Sequence, residues 1–292
     1  MNTPDSQGIA VSSHGFRSPS FQLSSTIKPH PSSYDDWALY YDVIHEGLPG
    51  DVEFYVSMAL ANGEKTLELG TGTGRIAIPM AMAGVEVAGL DNSPAMLALC
   101  REKAALAAPF SKPFRLIEAD MAVFNLRETF PFIAMPYRGF MHLLSHEEQR
   151  GCLNSVRRHL APNGIFALDT WAAQPKQVAF LARGTAGGKP RLVGRYKTDD
   201  ARVTVVHRCR AALDEVRQWL FEEHLIEERD QRGRLLHTSK LGMTRAYFSL
   251  DQLQAMTHEC GFETIRLHGD FAGAPFDAKS RELIMILRKT RD

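Results

Sequence analysis

A chain of 292 residues with 44% hydrophobic content is long enough to bury a core, either as one large domain or as a domain carrying a substantial insertion. Lys plus Arg and Asp plus Glu number 34 each, so no overall positive field draws the protein onto phosphate backbones or anionic membrane, and neither nucleic acid nor membrane is expected as a partner. Cys100, Cys152, Cys209 and Cys260 form no CxxC pair; the spacing signals neither a disulfide framework nor a metal site and suits a reducing cytoplasm.

Residues 1–33 are rich in Ser, Pro and Thr without an apolar period and read as a flexible leader, with no short apolar core of a signal peptide. From Tyr34 the run YDDWALYYDVIHEG places Trp37, Tyr40, Tyr41 and Ile44 at helical spacing, and a second helix is expected over 51–61. Strands are predicted at 65–69, 85–90, 114–119, 130–135 and 164–168, alternating with helices near 74–83, 93–107 and 146–160. Such repetition implies a parallel sheet covered on both faces. Ser93-Pro94 supplies an N-cap and a first-position proline, and Pro162-Asn163-Gly164 a turn into the fifth strand. Between about 184 and 247 the period shifts toward two, with DQRG at a hairpin turn. A helix over 250–260 stops at Gly261, and strands at 264–267 and 283–287 complete the main sheet. The expected fold is α/β, a doubly wound, seven-stranded, mostly parallel sheet with an antiparallel β insertion after the fifth strand. Its parts are a leader (1–33), lid helices with the core (34–183), the insertion (184–247) and a C-terminal completion of the sheet (248–292).

The run KTLELGTGTGR ends the first strand in Gly70, Gly72 and Gly74, which lack a Cβ and let a cofactor approach the backbone closely. Such turns serve dinucleotides and methyl donors alike, and the frame Gly72-x-Gly74-x-x-Ala77 also fits a nicotinamide fingerprint. Three carboxylates tilt the choice. Glu68, in the strand just before the turn, suits a cationic ligand and repels a pyrophosphate. Asp91 ends the second strand, where a carboxylate accepts from both ribose hydroxyls of either cofactor class. Asp120-Met121 follows the third strand and offers an acceptor and a backbone N–H to an adenine edge.

Together, LELGTGTGRIAIPMAMAGVEVAGLDNSPAML, EADM and HLAPNGIFALDTW resemble the class I S-adenosylmethionine-dependent methyltransferases. The resemblance implies a Rossmann-like fold with S-adenosylmethionine as cofactor. It implies that Gly70, Gly72 and Gly74 flank the methionine part, with Glu68 in the acidic position of the first motif. Asp91 then binds the ribose, Asn92 lies beside the adenine, and Asp120 with the Met121 backbone reads it. YYDVIHEG, LDTW and GDFAGAPFDAKSRELIMILRK are similar to a narrower set of small-molecule methyltransferases that includes amino-sugar N,N-dimethyltransferases. In that set an N-terminal lid helix carries aromatic residues toward the sulfonium and an insertion walls the acceptor pocket, which places Tyr34, Tyr41 and His45 in the lid.

Transfer from a sulfonium is an in-line displacement with a neutral leaving group, so positioning supplies much of the catalysis. A base that keeps an amine or hydroxyl acceptor unprotonated is useful; the candidates are His45, His142 and His224, with His45 first by its position match. Tyr137 and Arg138 follow the fourth strand at the carboxyl edge, where open α/β sheets bind ligands, and complete the catalytic set. Arg138 either holds an acidic acceptor or pairs with a carboxylate. Trp171 is expected in the core rather than in a pocket wall. Met135-Pro136-Tyr137 lacks the leading Asp or Asn of [DN]PPY, which argues against nucleic-acid or glutamine acceptors. The expected activity is methyl transfer to N or O of a small molecule by a cytoplasmic enzyme, and an exposed insertion edge offers a surface for a homodimer. A nicotinamide oxidoreductase and a non-catalytic S-adenosylmethionine-binding module are the alternatives.

Overall fold

The computed structural model describes residues 34–63, 65–174, 176, 178, 189–198 and 202–290; the leader expected over 1–33 and the start of the insertion at 184–188 lie outside them. In chain order the elements are α1 (Ala38–Ile44), α2 (Asp51–Ala61), β1 (Lys65–Leu69), α3 (Ala77–Met82), β2 (Glu86–Asp91), α4 (Pro94–Ala107), β3 (Phe114–Glu118) and β4 (Phe130–Met135). A short 3-10 turn at Gly139–His142 then leads to α5 (His146–His159) and β5 (Leu160–Trp171). The insertion strands β6 (Arg191–Lys197), β7 (Val203–Asp214), β8 (Trp219–Asp230) and β9 (Leu235–Ala246) precede α6 (Leu250–Glu259), β10 (Phe262–His268) and β11 (Glu282–Lys289).

The main sheet runs β10-β11-β5-β4-β1-β2-β3. β1 lies parallel between β2 and β4, and β11 runs antiparallel to both β5 and β10. Chain order reverses between β1 and β4, and the gap above their carboxyl ends is where such sheets take a ligand. Both faces are buried, as the near-continuous apolar runs require. Phe132 and Ala134 of β4 face α2 and α3 with Tyr55, Ile76 and Met80, while Ile133 and Met135 face Leu153 and Val156 of α5 and Leu253 of α6.

Local signals set the helix ends. Ser93 Oγ accepts the Met96 N–H at 3.1 Å with Pro94 in the first turn, Ser145 with Glu148 and Ser249 with Gln252 form capping boxes, and α6 runs out into Gly261 at φ +79°. Two element starts differ from expectation by three residues or more. β5 starts at Leu160 because β4 pairs Phe130 with Leu160 and then Phe132 with Ile165, so Pro162-Asn163-Gly164 bulges within a longer strand instead of preceding it. α3 starts at Ala77 because Gly74, at φ +83°, is still in the turn.

The insertion is an antiparallel four-stranded sheet in the order β6-β7-β8-β9, and its Asp230–Gly233 turn is the expected hairpin. The lid helix α1 packs Trp37, Tyr40 and Ile44 against Val205, Ile226, Leu241 and Met243 of this sheet. The insertion thereby stands over the carboxyl edge of the core. Among the described residues no helix is long and apolar enough to cross a membrane.

Candidate active site

A cavity of about 270 Å³ opens where β1, β2, β3 and β4 end. One wall holds Gly70, Gly72, Asp91, Asn92, Asp120 and Met121; the other holds Tyr34, Tyr41, Tyr137 and His142. Gly70 and Gly72 sit at φ +69° and +55°, and a Cβ at either would meet nothing within 4 Å, so the turn forms a cradle open to a ligand. Asp91 bridges the two strand ends: Gly72 N–H donates to Oδ2 at 2.8 Å and Ser93 N–H to Oδ1 at 2.9 Å. Burial raises the Asp91 pKa, and these two N–H groups work against it. Asp120 Oδ1 accepts from Ala122 N–H at 2.8 Å, which fixes its carboxylate at the end of β3.

Two residues expected at the cofactor are absent from this wall. Glu68 lies beneath the turn, 1% exposed, where it accepts the Thr71 hydroxyl at 2.9 Å and the Ala77 N–H. Burial pushes it up to about 8, so at neutral pH it is largely protonated and shapes the turn instead of facing a cation. Gly74 is required by packing: a Cβ there would lie 2.6 Å from Cys100 Sγ and 2.9 Å from Ile78 Cδ1, between α4 and α3.

The Glu68 environment has a pH signature. Its folded pKa is raised above the unfolded value of 4.5, so the stability it contributes is fully present below pH 4.5 and is lost as pH rises through about 8. Glu68→Gln mimics the protonated acid and removes this titration. The variant should therefore gain stability relative to wild type across that window, at a limiting slope of about 1.4 kcal/mol per pH unit. Urea unfolding of both proteins at several pH values checks this, and a flat difference would contradict the buried, protonated assignment.

The N-terminal segment around α1 is stitched to the glycine-turn side of the cavity. Asp35 Oδ1 accepts from Ser93 Oγ at 2.6 Å and from Ala95 N–H at 3.2 Å, and Asp42 accepts from Thr73 Oγ1 at 2.6 Å and Lys103 Nζ at 3.0 Å. On its other flank Tyr40 donates to Glu228 of β8 at 2.8 Å. Tyr34 and Tyr41 thus reach the cavity, with the Tyr34 hydroxyl 2.9 Å from His142 Nε2. His45 is behind the wall: its Nδ1 lies 3.3 Å from the Tyr137 hydroxyl and its ring packs against Trp37 and Tyr41. Burial pushes both His45 and His142 down to about 3, so each imidazole is neutral.

Tyr137 and Arg138 occupy left-handed conformations at φ +54° and +63°, uncommon for residues with side chains. Asp169 of β5 holds them there, accepting both backbone N–H groups at 2.9 Å and the Tyr55 hydroxyl at 2.7 Å. Asp169 is fully buried, and burial pushes it up to about 6. Arg75, clamped by two bonds to Asp51, places its guanidinium 4.9 Å from the Tyr137 ring centroid. Of the two readings of Arg138 the structure shows the carboxylate partner: its guanidinium pairs with Glu282. Beyond that pair lies a second cavity of about 600 Å³, bounded by Met141, Trp171, Leu220, Glu222 and Arg245. Trp171 packs against the main core, as expected, and also forms part of this wall.

Asp169, Asp35 and Asp42 had no assigned role in the sequence reading. The signal for Asp169 was a carboxylate at the carboxyl end of a central strand; Asp35, in the turn before α1, and Asp42, on it, showed no partner in the sequence.

The chain matches a family model described as a methyltransferase domain over residues 66–164. It is 27% identical to the cypemycin N-terminal methyltransferase of a Streptomyces species, over 89% of this chain and 98% of that protein. It is also 27% identical to the dTDP-4-amino-2,3,4,6-tetradeoxy-D-glucose N,N-dimethyltransferase of Saccharopolyspora spinosa, over 60% of this chain and 71% of that one. Among solved structures, the CcbJ methyltransferase from Streptomyces caelestis superposes with a TM-score of 0.74 at 27% identity, covering 90% of this chain and 100% of its own.

Proposed function

We propose that this chain, an S-adenosylmethionine-dependent methyltransferase of class I, methylates an amine nitrogen of a small-molecule acceptor. The observation that carries the choice of nitrogen is that the histidines nearest the cavity are held neutral with pKa values near 3. Such an imidazole is too weak a base to deprotonate an alcohol, a phenol or an ammonium ion, so the acceptor must arrive with a nucleophilic lone pair, which an amine presents once the solvent has taken its proton. A relative named as an N,N-dimethyltransferase supports the same choice.

The open cradle of Gly70 and Gly72 and the adjoining carboxylates fit the cofactor, which when bound supplies an electrophilic sulfonium methyl group. Asp91 would accept from the ribose hydroxyls, Asn92, Asp120 and the Met121 backbone would hold the adenine, and the rings of Tyr34 and Tyr41 would face the cation. Tyr137 and His142 orient the acceptor nitrogen; His45 positions Tyr137 from behind. The acceptor body occupies the 600 Å³ cavity, whose insertion wall includes Leu220, Glu222 and Arg245.

The test is release of S-adenosylhomocysteine with matched panels of small amines and phenols. Turnover is expected with amines, its acidic limb following the pKa of each amine. His142→Gln should lower kcat by about tenfold without moving that limb, as loss of an orienting hydrogen bond would. Turnover confined to phenols, or an acidic limb abolished in His142→Gln, would sink the reading. We place the enzyme in the cytoplasm, on the free thiols Cys100, Cys152, Cys209 and Cys260, and infer no nucleic-acid acceptor from the balanced charge. The exposed Leu192 and Val193 on edge strand β6 support a homodimer, which sedimentation velocity would detect.

A further inference from the structure

Apart from methyl transfer, the insertion sheet gathers four side chains that sequence spacing keeps apart. β7 and β8 set Cys209 directly opposite His224. Glu222 lies two residues before His224, and His207 two before Cys209, so all four share one face. Cys209 Sγ, one Glu222 carboxylate oxygen and one His224 ring nitrogen lie within 4.8 Å of one another. Sγ is 3.9 Å from His224 Nε2, and the other ring nitrogen, Nδ1, is 2.8 Å from His207 Nε2.

We propose that Cys209, Glu222 and His224 form a binding site for a zinc-class divalent cation, with His207 orienting His224 from behind. The donor set of one sulfur, one nitrogen and one oxygen matches a borderline-soft ion rather than magnesium or calcium. Bond lengths of about 2.0–2.3 Å place tetrahedral donors roughly 3.3–3.8 Å apart, so side-chain shifts of about 1 Å close the cluster on an ion. A ring that ligates through one nitrogen while the other is hydrogen-bonded is the arrangement that fixes tautomer and orientation, and His207 supplies that bond. His207 Nδ1 itself is buried without a hydrogen-bond partner. Arg245 donates to Glu222 Oε2 at 2.5 Å, the kind of outer contact a ligating carboxylate keeps. A ligating imidazole is neutral, and a ligating thiol gives up its proton to the solvent on binding. With the thiolate formed, Cys209, Glu222 and Arg245 sum to one negative charge facing the cation. Three protein ligands leave a fourth position, and Glu222 is also a wall of the 600 Å³ cavity, so a water or an acceptor oxygen can complete the sphere there.

The test needs no methyl donor and so stands apart from the proposed acceptor chemistry. Full-length protein stripped of metal by chelator dialysis is titrated with Co²⁺ and followed by absorption. The expected result is a near-ultraviolet thiolate-to-cobalt charge-transfer band saturating at one ion per chain. It should vanish in Cys209→Ser, persist in Cys260→Ser, and require about tenfold more cobalt in His224→Gln. Absence of the band from wild type, or its survival in Cys209→Ser, overturns the site. Should Cys209→Ser fail to fold, His224→Gln decides: unchanged cobalt affinity there overturns the proposal equally.

Discussion

Replacing Asp91 with alanine is expected to weaken S-adenosylhomocysteine binding by about ten- to a hundredfold. Its carboxylate reaches the cavity with lone pairs left over from its bonds to Gly72 and Ser93, and those are the acceptors proposed for the ribose. Losing one or two charge-assisted hydrogen bonds of about 1.5 kcal/mol each gives that range. The substitution also frees two backbone donors, so Asp91→Asn, which keeps one acceptor oxygen, should fall between wild type and alanine. Calorimetric titration of the three proteins checks the order, and an affinity unchanged in the alanine variant would remove Asp91 from the donor site.

The larger effect is expected at Asp169. Alanine there strands the fully buried Tyr55 hydroxyl and the half-buried Tyr137 and Arg138 N–H groups, at about 1–3 kcal/mol for each buried group left without an acceptor. A stability loss of about 3–5 kcal/mol follows once partial relaxation is allowed. The two left-handed residues also lose the contact that holds them, so Tyr137 leaves its position and kcat/KM should fall by about a hundredfold in whatever fraction remains folded. Denaturant unfolding and single-turnover assays measure the two effects separately. A variant with wild-type midpoint and turnover would show that Asp169 pins nothing.

The alternation of strands and helices, the cap at Ser93-Pro94, the stop at Gly261 and the glycine cradle were legible in the sequence because each is a local matter of period or backbone freedom. Asp91 and Asp120 were legible because strand ends in a parallel sheet share one edge. What escaped depended on neighbours distant in the chain. Glu68 carries the motif's acidic position, yet strand alternation turns it inward beneath Thr71 and Ala77, and burial removes its charge. Arg138 could be given two roles until Glu282 of β11 came beside it. His45 looked like a base, but burial holds it neutral and the cavity is lined by Tyr137, which it contacts, and by His142. The pairing of Cys209 with His224 follows from the β7–β8 register, which no spacing rule over four scattered cysteines could supply.

The segment from Asp35 through α1 is bonded on one side to Ser93 and Thr73, beside the glycine cradle, and on the other to Glu228 of the insertion. With donor and acceptor placed as proposed, a segment held on both sides links their two binding events. Whatever factor the donor adds to acceptor affinity by ordering this helix, the acceptor must return to donor affinity, since a coupling free energy is the same in either direction. Departure obeys the same identity: whatever coupling the methylated acceptor has with S-adenosylhomocysteine through this segment, losing either product changes the hold on the other by the same factor.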